Sequence, residues 1–319
     1  MRRYTRKKRL HSVKKGGNHK CLFVRSINGI GLGNMLFLYA AALVVKKNFE
    51  EHAKNMYNIC FVGSTKGFHS HIDYKHLFDA TYDVPNSRVN SAKNAINTKH
   101  FNEWSKDNMK LNVPKEADIK LPQNFFQNYK SIEPAIDDMK KMLIKNEFHK
   151  PVYHKFKIDQ KHSAFMHVRR GDYSKTGWLL GDDYYCSALK HLAKKDGINY
   201  LYVFSDDIEW CVQNDNKWKE CLGSDKKIIY DTELFGTTTK DAKLNELETL
   251  YCMTLCEAGA VITNSTFSLW GVMLGADRNS DSMIVYPEPW VPPWIDGTKE
   301  SALSFPKDGR WVPVTYEKK

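Results

Sequence analysis

Residues 164–173 read Ala-Phe-Met-His-Val-Arg-Arg-Gly-Asp-Tyr, an apolar run that changes abruptly into charged residues and a glycine. A short apolar run closed by a polar turn predicts a buried strand. The same pattern recurs at residues 200–207, Tyr-Leu-Tyr-Val-Phe-Ser-Asp-Asp, and at residues 260–266, Ala-Val-Ile-Thr-Asn-Ser-Thr. Stretches with helical periodicity separate these runs. Strands that alternate with helices predict a parallel, doubly wound α/β sheet in the C-terminal half.

The α/β pattern also appears near the N-terminus, where an apolar strand, a glycine-rich loop and an apolar helix reaching Val45 follow one another. Two α/β domains that face each other are the simplest architecture for this chain, with a boundary in the polar stretch between residues 146 and 161. We therefore assign residues 21–155 to an N-terminal domain and residues 156–319 to a C-terminal nucleotide-binding domain. The predicted strands are Cys21–Val24, Ala164–Val168, Tyr200–Phe204, Lys227–Tyr230 and Ala260–Thr263, and the predicted helices beyond the first are Asp183–Lys194, Ile208–Val212 and Lys243–Ala258.

A basic tail explains most of the net charge. The chain has 319 residues and a formal net charge of +11, but residues 1–20 contain nine Lys and Arg and no acid, which leaves +2 for the rest. A segment of this composition is predicted to be disordered. We expect at most weak contact with anionic surfaces through the tail and no specific binding of nucleic acid.

The apolar stretches and the cysteines indicate the cellular compartment in which the protein is expected. The longest apolar stretch, Met35–Val45, ends at two lysines. It is too short to cross a bilayer, and no signal-peptide pattern precedes it. The seven cysteines have scattered spacings that predict no disulfide scaffold. These features favour a soluble protein in a reducing, cytoplasmic compartment, with Cys252 and Cys256 as buried packing residues rather than metal ligands.

Arginines and a carboxylate follow the first strand of the C-terminal half. In an open α/β sheet the ligand lies beyond the carboxyl ends of the strands, where Arg169, Arg170 and Asp172 are found. The planar guanidinium group donates paired hydrogen bonds to phosphate oxygens, so this motif suits a diphosphate. A structural salt bridge between arginine and aspartate is the alternative.

Two further strand ends carry polar residues. Asp206 and Asp207 follow the strand at 200–204 and are candidates to accept hydrogen bonds from guanine or ribose, or to cap the next helix. Ser265 and Thr266 begin a helix directly after an apolar strand, where free N–H groups suit a pyrophosphate and where hydroxyl side chains also serve as caps.

Two other features carry weaker signals. The glycines at 29, 31 and 33 are spaced by two, which matches neither the dinucleotide-binding motif nor the P-loop, so ATPase chemistry is unsupported. Trp290, Trp294 and Trp311 lie among prolines and either stack on sugar rings or pack an irregular C-terminal segment.

In this order the motifs resemble the α-1,2-fucosyltransferase family, glycosyltransferase family 11, over nearly all of the chain after the tail. Three positions depart from the family pattern: Met35 and Leu38 replace glutamines of the glycine-rich loop, which affects the acceptor side or the domain contact, and Leu269 replaces a tryptophan. The matching segments are Gly31–Asn34 with Phe37 and Tyr39-Ala40, Phe126-Gln127, His167–Tyr173, Phe204–Trp210, Asn264–Ser268 and Trp270-Gly271.

The resemblance implies a GT-B fold with two facing Rossmann-like domains. It also implies GDP-fucose as donor, a glycan acceptor that ends in galactose, inversion to an α-1,2 linkage, and no metal or other cofactor. In catalysis it implies roles for Arg170, Asp172 and His167, although no single general base is assigned. The residues implied to bind the donor are Gly33, Asn34, Arg169, Arg170, Asp206, Asp207, Asn264, Ser265, Thr266 and Phe267.

Two alternatives stay open. A transferase for another GDP-sugar, such as mannose or rhamnose, would need the same guanine and pyrophosphate contacts. A nucleotide-sugar-binding protein without turnover would bind the ligand but form no product.

Overall fold

The protein contains two parallel β-sheets, one built from each half of the chain. The structure is a computed structural model that describes residues 20–26, 30–53, 57–67, 72–82, 84–94, 117–123, 126–150, 157–231, 244–292 and 303–317. Several positions named in the sequence analysis lie outside these residues: Gly29, the predicted domain boundary near residue 155, and Trp294. The predicted tail also lies outside them, apart from its last residue, Lys20, which belongs to the first strand.

The N-terminal sheet has four parallel strands in the order β2-β1-β4-β3. A long helix, α1, follows β1, as the apolar run predicted, and it extends beyond Val45 to Ala53. The strands are β1 Lys20–Arg25, β2 Tyr57–Val62, β3 Lys93–Asn94 and β4 Ile119–Lys120, and the helices are α1 Leu32–Ala53, α2 Asn86–Ser91, α3 Tyr129–Ile132 and α4 Ile136–Lys145.

The C-terminal sheet has six parallel strands in the order β10-β9-β8-β5-β6-β7. Its central strand β5 is buried along its whole length, which explains the unbroken apolar sequence. The strands are β5 Ser163–Val168, β6 Tyr200–Ser205, β7 Lys227–Tyr230, β8 Gly259–Val261, β9 Met283–Glu288 and β10 Trp311–Thr315. The helices are α5 Tyr173–Thr176, α6 Asp182–Leu192, α7 Ile208–Gln213, α8 Asp215–Leu222, α9 Glu246–Thr254 and α10 Thr266–Leu274. These two parallel sheets with their helices confirm the α/β prediction.

Helix α1 joins the cores of the two halves. Its residues from Met35 to Ala42 are all at most 2% exposed, so this part of the helix is buried on every side instead of being amphipathic. It packs against α10, where the rings of Phe37 and Trp270 meet edge to face with centroids 5.2 Å apart. One hydrophobic cluster therefore continues from the N-terminal half into the C-terminal half.

A buried carboxylate adds a polar connection between the halves. Asp277 is 8% exposed, and its Oδ2 accepts a hydrogen bond of 2.5 Å from the hydroxyl of Tyr129 in α3. Its Oδ1 accepts from Trp311 Nε1 at 3.0 Å and pairs with Arg310 at 3.2 Å. Because a buried charge needs such partners, these contacts fix α3 against the C-terminal sheet.

The cysteines depart from expectation. The structure contains two disulfides, Cys21–Cys60 and Cys186–Cys221, with Cα–Cα distances of 5.8 and 5.5 Å. The cysteine spacings predicted no disulfide scaffold, and they could not indicate these two pairs because each joins elements that are distant in sequence: β1 beside β2, and α6 against α8. Cys252 and Cys256 are fully buried thiols, which confirms their interpretation as packing residues.

The described part of the chain has no helix that is both long and apolar enough to cross a membrane.

Candidate active site

Three strand ends predicted to bind ligand are adjacent in the structure. Strands β8, β5 and β6 are neighbours in the C-terminal sheet and are parallel, so the residues that follow them lie at one edge. The sheet therefore brings the arginine motif, the paired aspartates and the start of α10 together.

Asp206 organises the loop after β5. Its Oδ1 accepts from the backbone N of Arg170 at 2.8 Å, and its Oδ2 accepts from that of Gly171 at 3.1 Å. Oδ2 also lies 3.0 Å from Nη1 of Arg169. A Cβ at Gly171 would lie 2.8 Å from Oδ2, so a larger residue here would displace this carboxylate. The expectation that Asp206 reads guanine stays a prediction, since both of its oxygens are engaged within the protein.

Arg169 and Arg170 have different surroundings. Nη2 of Arg169 lies 2.7 Å from Asp172 Oδ1, and its Nη1 pairs with Asp206, so two carboxylates neutralise this guanidinium group. Within the described part of the chain, Arg170 makes one ion pair, from Nε to Asp207 Oδ2 at 3.0 Å, and its guanidinium carbon lies 4.0 Å from the ring centroid of Trp210. None of the described residues accepts a hydrogen bond from Nη1 or Nη2 of Arg170. These two donor groups are therefore available to a ligand.

Asp207 has a double function in the folded chain. Its Oδ1 accepts from the backbone N of Trp210 at 3.2 Å and so caps α7, which is one of the two roles predicted for the aspartates after β6. Its Oδ2 holds Arg170. The same carboxylate thus binds the backbone of Trp210 and the guanidinium group that lies on the ring of this tryptophan.

The start of α10 is closed by the N-terminal half. Ser265 is the N-cap residue and accepts from the backbone N of Phe267 at 3.4 Å. Gly33 approaches this turn so closely that a Cβ would lie 2.7 Å from the backbone N of Phe267 and from Oγ1 of Thr266. The helix end thus forms a contact between the two halves, and its N–H groups are not fully open to a phosphate.

Asn34 crosses between the halves as the resemblance implied. Its Oδ1 accepts from Thr266 Oγ1 at 2.9 Å and from Gln127 Nε2 at 2.8 Å. The sequence indicated Gln127 only as part of the family pattern and predicted no role for it.

His167 is buried within β5 and is only 5% exposed. Its Nδ1 lies 3.5 Å from Thr263 Oγ1, and its ring packs against Phe267 with centroids 5.6 Å apart. Burial lowers the pKa of the imidazole to about 3, and the positive charge of Arg169 acts in the same direction. The imidazole is therefore neutral at pH 7, and it does not line the cavity described next.

A cavity of about 280 Å³ opens beside the strand ends. Four of its lining residues were predicted as site residues: Asn34, Asp172, Asn264 and Thr266. The other lining residues are Gln127, Tyr173, Thr176, Trp178, Trp290 and Val291. Of these six residues, the sequence had singled out three: Gln127 and Tyr173 in the family pattern, and Trp290 as a candidate to stack on a sugar ring. Trp311, the other described candidate for such stacking, does not line the cavity and is buried in β10.

The remaining predicted site residues do not line this cavity. They are Gly33, His167, Arg169, Arg170, Asp206, Asp207, Ser265 and Phe267. Within the described ranges, no group of three or more His, Cys, Asp and Glu side chains is arranged to hold a metal ion.

Two parallel α/β units with a free arginine and a cavity at the strand ends are typical of enzymes that bind a phosphate-bearing ligand between domains. The family model described as Glycosyl transferase family 11 matches residues 47–288, which is more than half of the chain. The chain therefore belongs to glycosyl transferase family 11 and is a glycosyltransferase.

Two Escherichia coli proteins are similar to the chain in sequence. The O-antigen biosynthesis glycosyltransferase WbnK is 23% identical over 316 residues, covering 86% of this chain and 96% of that protein. An α-1,2-colitosyltransferase is 31% identical over 163 residues, covering 48% of this chain and 47% of that protein.

Solved structures show a distant likeness. The fucosyltransferase NodZ from Bradyrhizobium has a TM-score of 0.39 with 13% identity, covering 81% of this chain and 92% of its own. POFUT1 in complex with GDP-fucose has a TM-score of 0.40 with 11% identity, covering 84% of this chain and 98% of its own. The fold assignment rests on the strand order and not on these likenesses.

Proposed function

We propose that the chain transfers fucose from GDP-fucose to a glycan hydroxyl, O2 of a β-galactoside, with inversion to an α-1,2 linkage. The observation that carries the donor half of this proposal is Arg170, whose Nη groups make no hydrogen bond to any described residue, while the neighbouring Arg169 is neutralised. In a chain of this family, a fixed guanidinium group with free donors suits the diphosphate of a nucleotide-sugar.

Arg170 supplies the positive charge that the leaving group needs. As the bond between the sugar and the β-phosphate breaks, negative charge grows on the phosphate oxygens, and a fixed guanidinium group stabilises it. Trp210 and Asp207 hold Arg170 in place before the reaction. We propose that this charge makes a metal ion unnecessary.

Asp172 is the proposed acceptor of the proton. One of its oxygens, Oδ1, is held by Arg169, and none of the described residues donates to Oδ2. Asp172 also lines the cavity, which His167 does not. In the proposed step the acceptor oxygen bonds to C1 of the sugar and its proton passes to Asp172. The bond from C1 to the phosphate oxygen breaks, and GDP leaves with the electron pair.

A second candidate donor carries colitose. The relative named α-1,2-colitosyltransferase supports this alternative, because its similarity to the chain extends over 163 residues. The same contacts to diphosphate would serve either sugar, so the donor has to be decided by a panel of GDP-sugars.

The test is a transfer assay in EDTA with GDP-fucose, GDP-colitose or GDP-mannose as donor and a β-galactoside as acceptor. We expect a product with GDP-fucose, with the new linkage at O2 by NMR, and at least tenfold lower kcat/KM for Asp172→Asn. Arg278→Ala is the control for a lost surface charge, since Arg278 pairs with Asp137 and not with a strand-end residue. Product from another GDP-sugar alone would replace fucose in the proposal, and no product from any donor would contradict transfer.

A further inference from the structure

We infer that the cavity beside Asp172 is a subsite for one neutral pyranose ring, and that Asn264 accepts a hydrogen bond from a hydroxyl group of this ring. The inference rests on the proposed function, because it concerns where a sugar lies relative to the diphosphate at Arg170. The sugar is either the acceptor residue or the transferred residue of the donor, and both present the same chemistry.

The charge of the cavity wall excludes a phosphate. Its lining residues include one carboxylate, Asp172, and no Lys, Arg or His. An anionic diphosphate would be repelled by that carboxylate and would find no counter-charge, whereas a neutral ring with many hydroxyl groups would find several polar partners. The diphosphate therefore belongs outside this cavity, and the ring belongs inside it.

The size of the cavity points the same way. Pockets that enclose drug-sized ligands measure roughly 300–1,000 Å³, and this cavity is about 280 Å³. It is too small for a whole nucleotide-sugar and adequate for one sugar ring. Trp178 and Tyr173 offer it aromatic surface, with ring centroids 5.9 Å apart, and such surface packs against the apolar C–H face of a pyranose.

Asn264 provides the most specific observation. Its Nδ2 donates to the backbone oxygen of Trp178 at 3.1 Å, which fixes the orientation of the amide. Its backbone oxygen accepts from the hydroxyl of Tyr173 at 3.1 Å. Its Oδ1 is buried and has no hydrogen-bond partner among the described residues.

An unpartnered buried oxygen costs free energy unless a donor reaches it. A sugar hydroxyl can donate to it, and a phosphate oxygen cannot. The side chain of Asn264 was expected to bind the donor nucleotide, but its orientation suits a hydroxyl group better than a phosphate.

The first experiment fills the cavity from its exposed rim. Thr176 lines the cavity and is exposed, so Thr176→Trp places an indole in it with little risk to folding. Lys175→Trp is the matched control, because Lys175 is an exposed neighbour on the same short helix, α5, and does not line the cavity. We expect Thr176→Trp to lower kcat/KM for transfer at least a hundredfold and Lys175→Trp to change it less than threefold. The Kd for GDP should change less than threefold in both variants.

The second experiment distinguishes the two sources of the ring. In Trp178→Ala, a tenfold rise in KM for the β-galactoside identifies the acceptor sugar, and a tenfold rise in KM for GDP-fucose with unchanged Kd for GDP identifies the donor sugar. Trp178→Phe keeps an aromatic face and should restore either value to within threefold of wild type.

A binding measurement keeps the inference testable even if transfer is not observed. Saturation-transfer NMR with methyl β-galactoside and with L-fucose, each in the presence of GDP, should show contact with wild type and loss of contact in Thr176→Trp. The inference is overturned if the Kd for GDP rises tenfold in Thr176→Trp, since the cavity would then hold the nucleotide. It is also overturned if neither sugar contact nor transfer differs between Thr176→Trp and Lys175→Trp. Failure of wild type to bind GDP would instead contradict the proposed function.

Discussion

Arg169 and Arg170 are adjacent in the sequence and have opposite electrostatic surroundings. Two carboxylates, Asp172 and Asp206, bind Arg169, while Arg170 has one carboxylate and the face of Trp210. The sequence motif shows two equivalent arginines. Only the folded loop, held by backbone donors to Asp206, makes one of them structural and the other free.

Trp210 should act on ligand binding through Arg170. A cation over an indole face gains about 1 to 2 kcal/mol when it is partly desolvated, which corresponds to roughly five- to thirty-fold in affinity. Trp210→Leu keeps apolar contact with Trp218 and Tyr185 but removes this face. Because an Arg170 that Trp210 no longer holds has to be ordered when GDP binds, we expect the Kd for GDP to rise by at most that factor in Trp210→Leu, and to stay within threefold of wild type in Trp210→Phe.

A double-mutant cycle separates this positioning effect from a loss of packing. In an Arg170→Ala background, Trp210→Leu should change the Kd for GDP no further, because the guanidinium group it positions is absent. Additive effects of the two substitutions would mean that Trp210 acts independently of Arg170.

His167 should make the folding stability depend on pH. The folded pKa is lowered to about 3 by burial, below the ordinary value of 6.5. Below pH 6.5 the unfolded chain binds a proton that the folded chain does not, so stability falls as pH falls. Between pH 7 and pH 5 this one group should remove about 2 kcal/mol. Denaturant unfolding at pH 7 and pH 5 measures the change in the free energy of unfolding. The decrease in wild type should exceed the decrease in His167→Gln by this amount, and equal decreases would contradict a neutral, buried imidazole.

At the scale of secondary structure, the ends of elements decide where ligand chemistry occurs. The apolar runs of β5, β6 and β8 predicted both the strands and the polar residues after them, because buried parallel strands have an unmistakable composition. Strands β9 and β10 and helix α8 were not predicted. Each of β9 and β10 contains a proline, Pro287 and Pro313, which is untypical of strand sequences.

The contact between α1 and α10 could not be predicted from spacing. Asn34 and Thr266 are 232 residues apart, and their hydrogen bond depends on how the two halves pack. The same holds for the cavity, since Gln127 and Trp290 come from loops of different halves. The arginine motif after β5 is local in sequence, whereas the wall of the cavity is assembled by long-range packing.

Gly33 should be essential to the contact between α1 and α10. Gly33→Ala would place a Cβ 2.7 Å from the backbone N of Phe267, which cannot rotate away. We expect a loss of roughly 1–3 kcal/mol in the free energy of unfolding, as for other overpacked sites. Gly31→Ala is the matched control, because a Cβ there meets no atom within 4 Å.

Thermal and denaturant unfolding of the two glycine variants provide the measurement. Gly31→Ala should remain within about 0.5 kcal/mol of wild type. Equal stability of Gly33→Ala and Gly31→Ala would show that the first turn of α10 is not closed by the N-terminal half.

At the scale of the whole molecule, the two halves share a core and still leave a cleft at their junction. The apolar cluster around α1, together with the buried partners of Asp277, holds the sheets in one arrangement. The cavity at this junction is lined by residues of both halves, and Arg170 follows the end of β5 in the C-terminal half. In the proposed function, a GDP-sugar binds with its phosphates at Arg170 and its sugar toward residues of both halves.

The most direct test of this account is isothermal titration of GDP in EDTA with wild type, Arg170→Ala and the control Arg278→Ala. Hydrogen bonds to charged groups contribute about 1.5–3 kcal/mol each, so we expect Arg170→Ala to weaken GDP binding roughly ten- to hundredfold while the protein stays folded. Wild type and Arg278→Ala should bind GDP equally well without metal. Folded wild type that does not bind GDP in EDTA, or an Arg170→Ala variant that binds as tightly as Arg278→Ala, would contradict a metal-independent diphosphate site at Arg170.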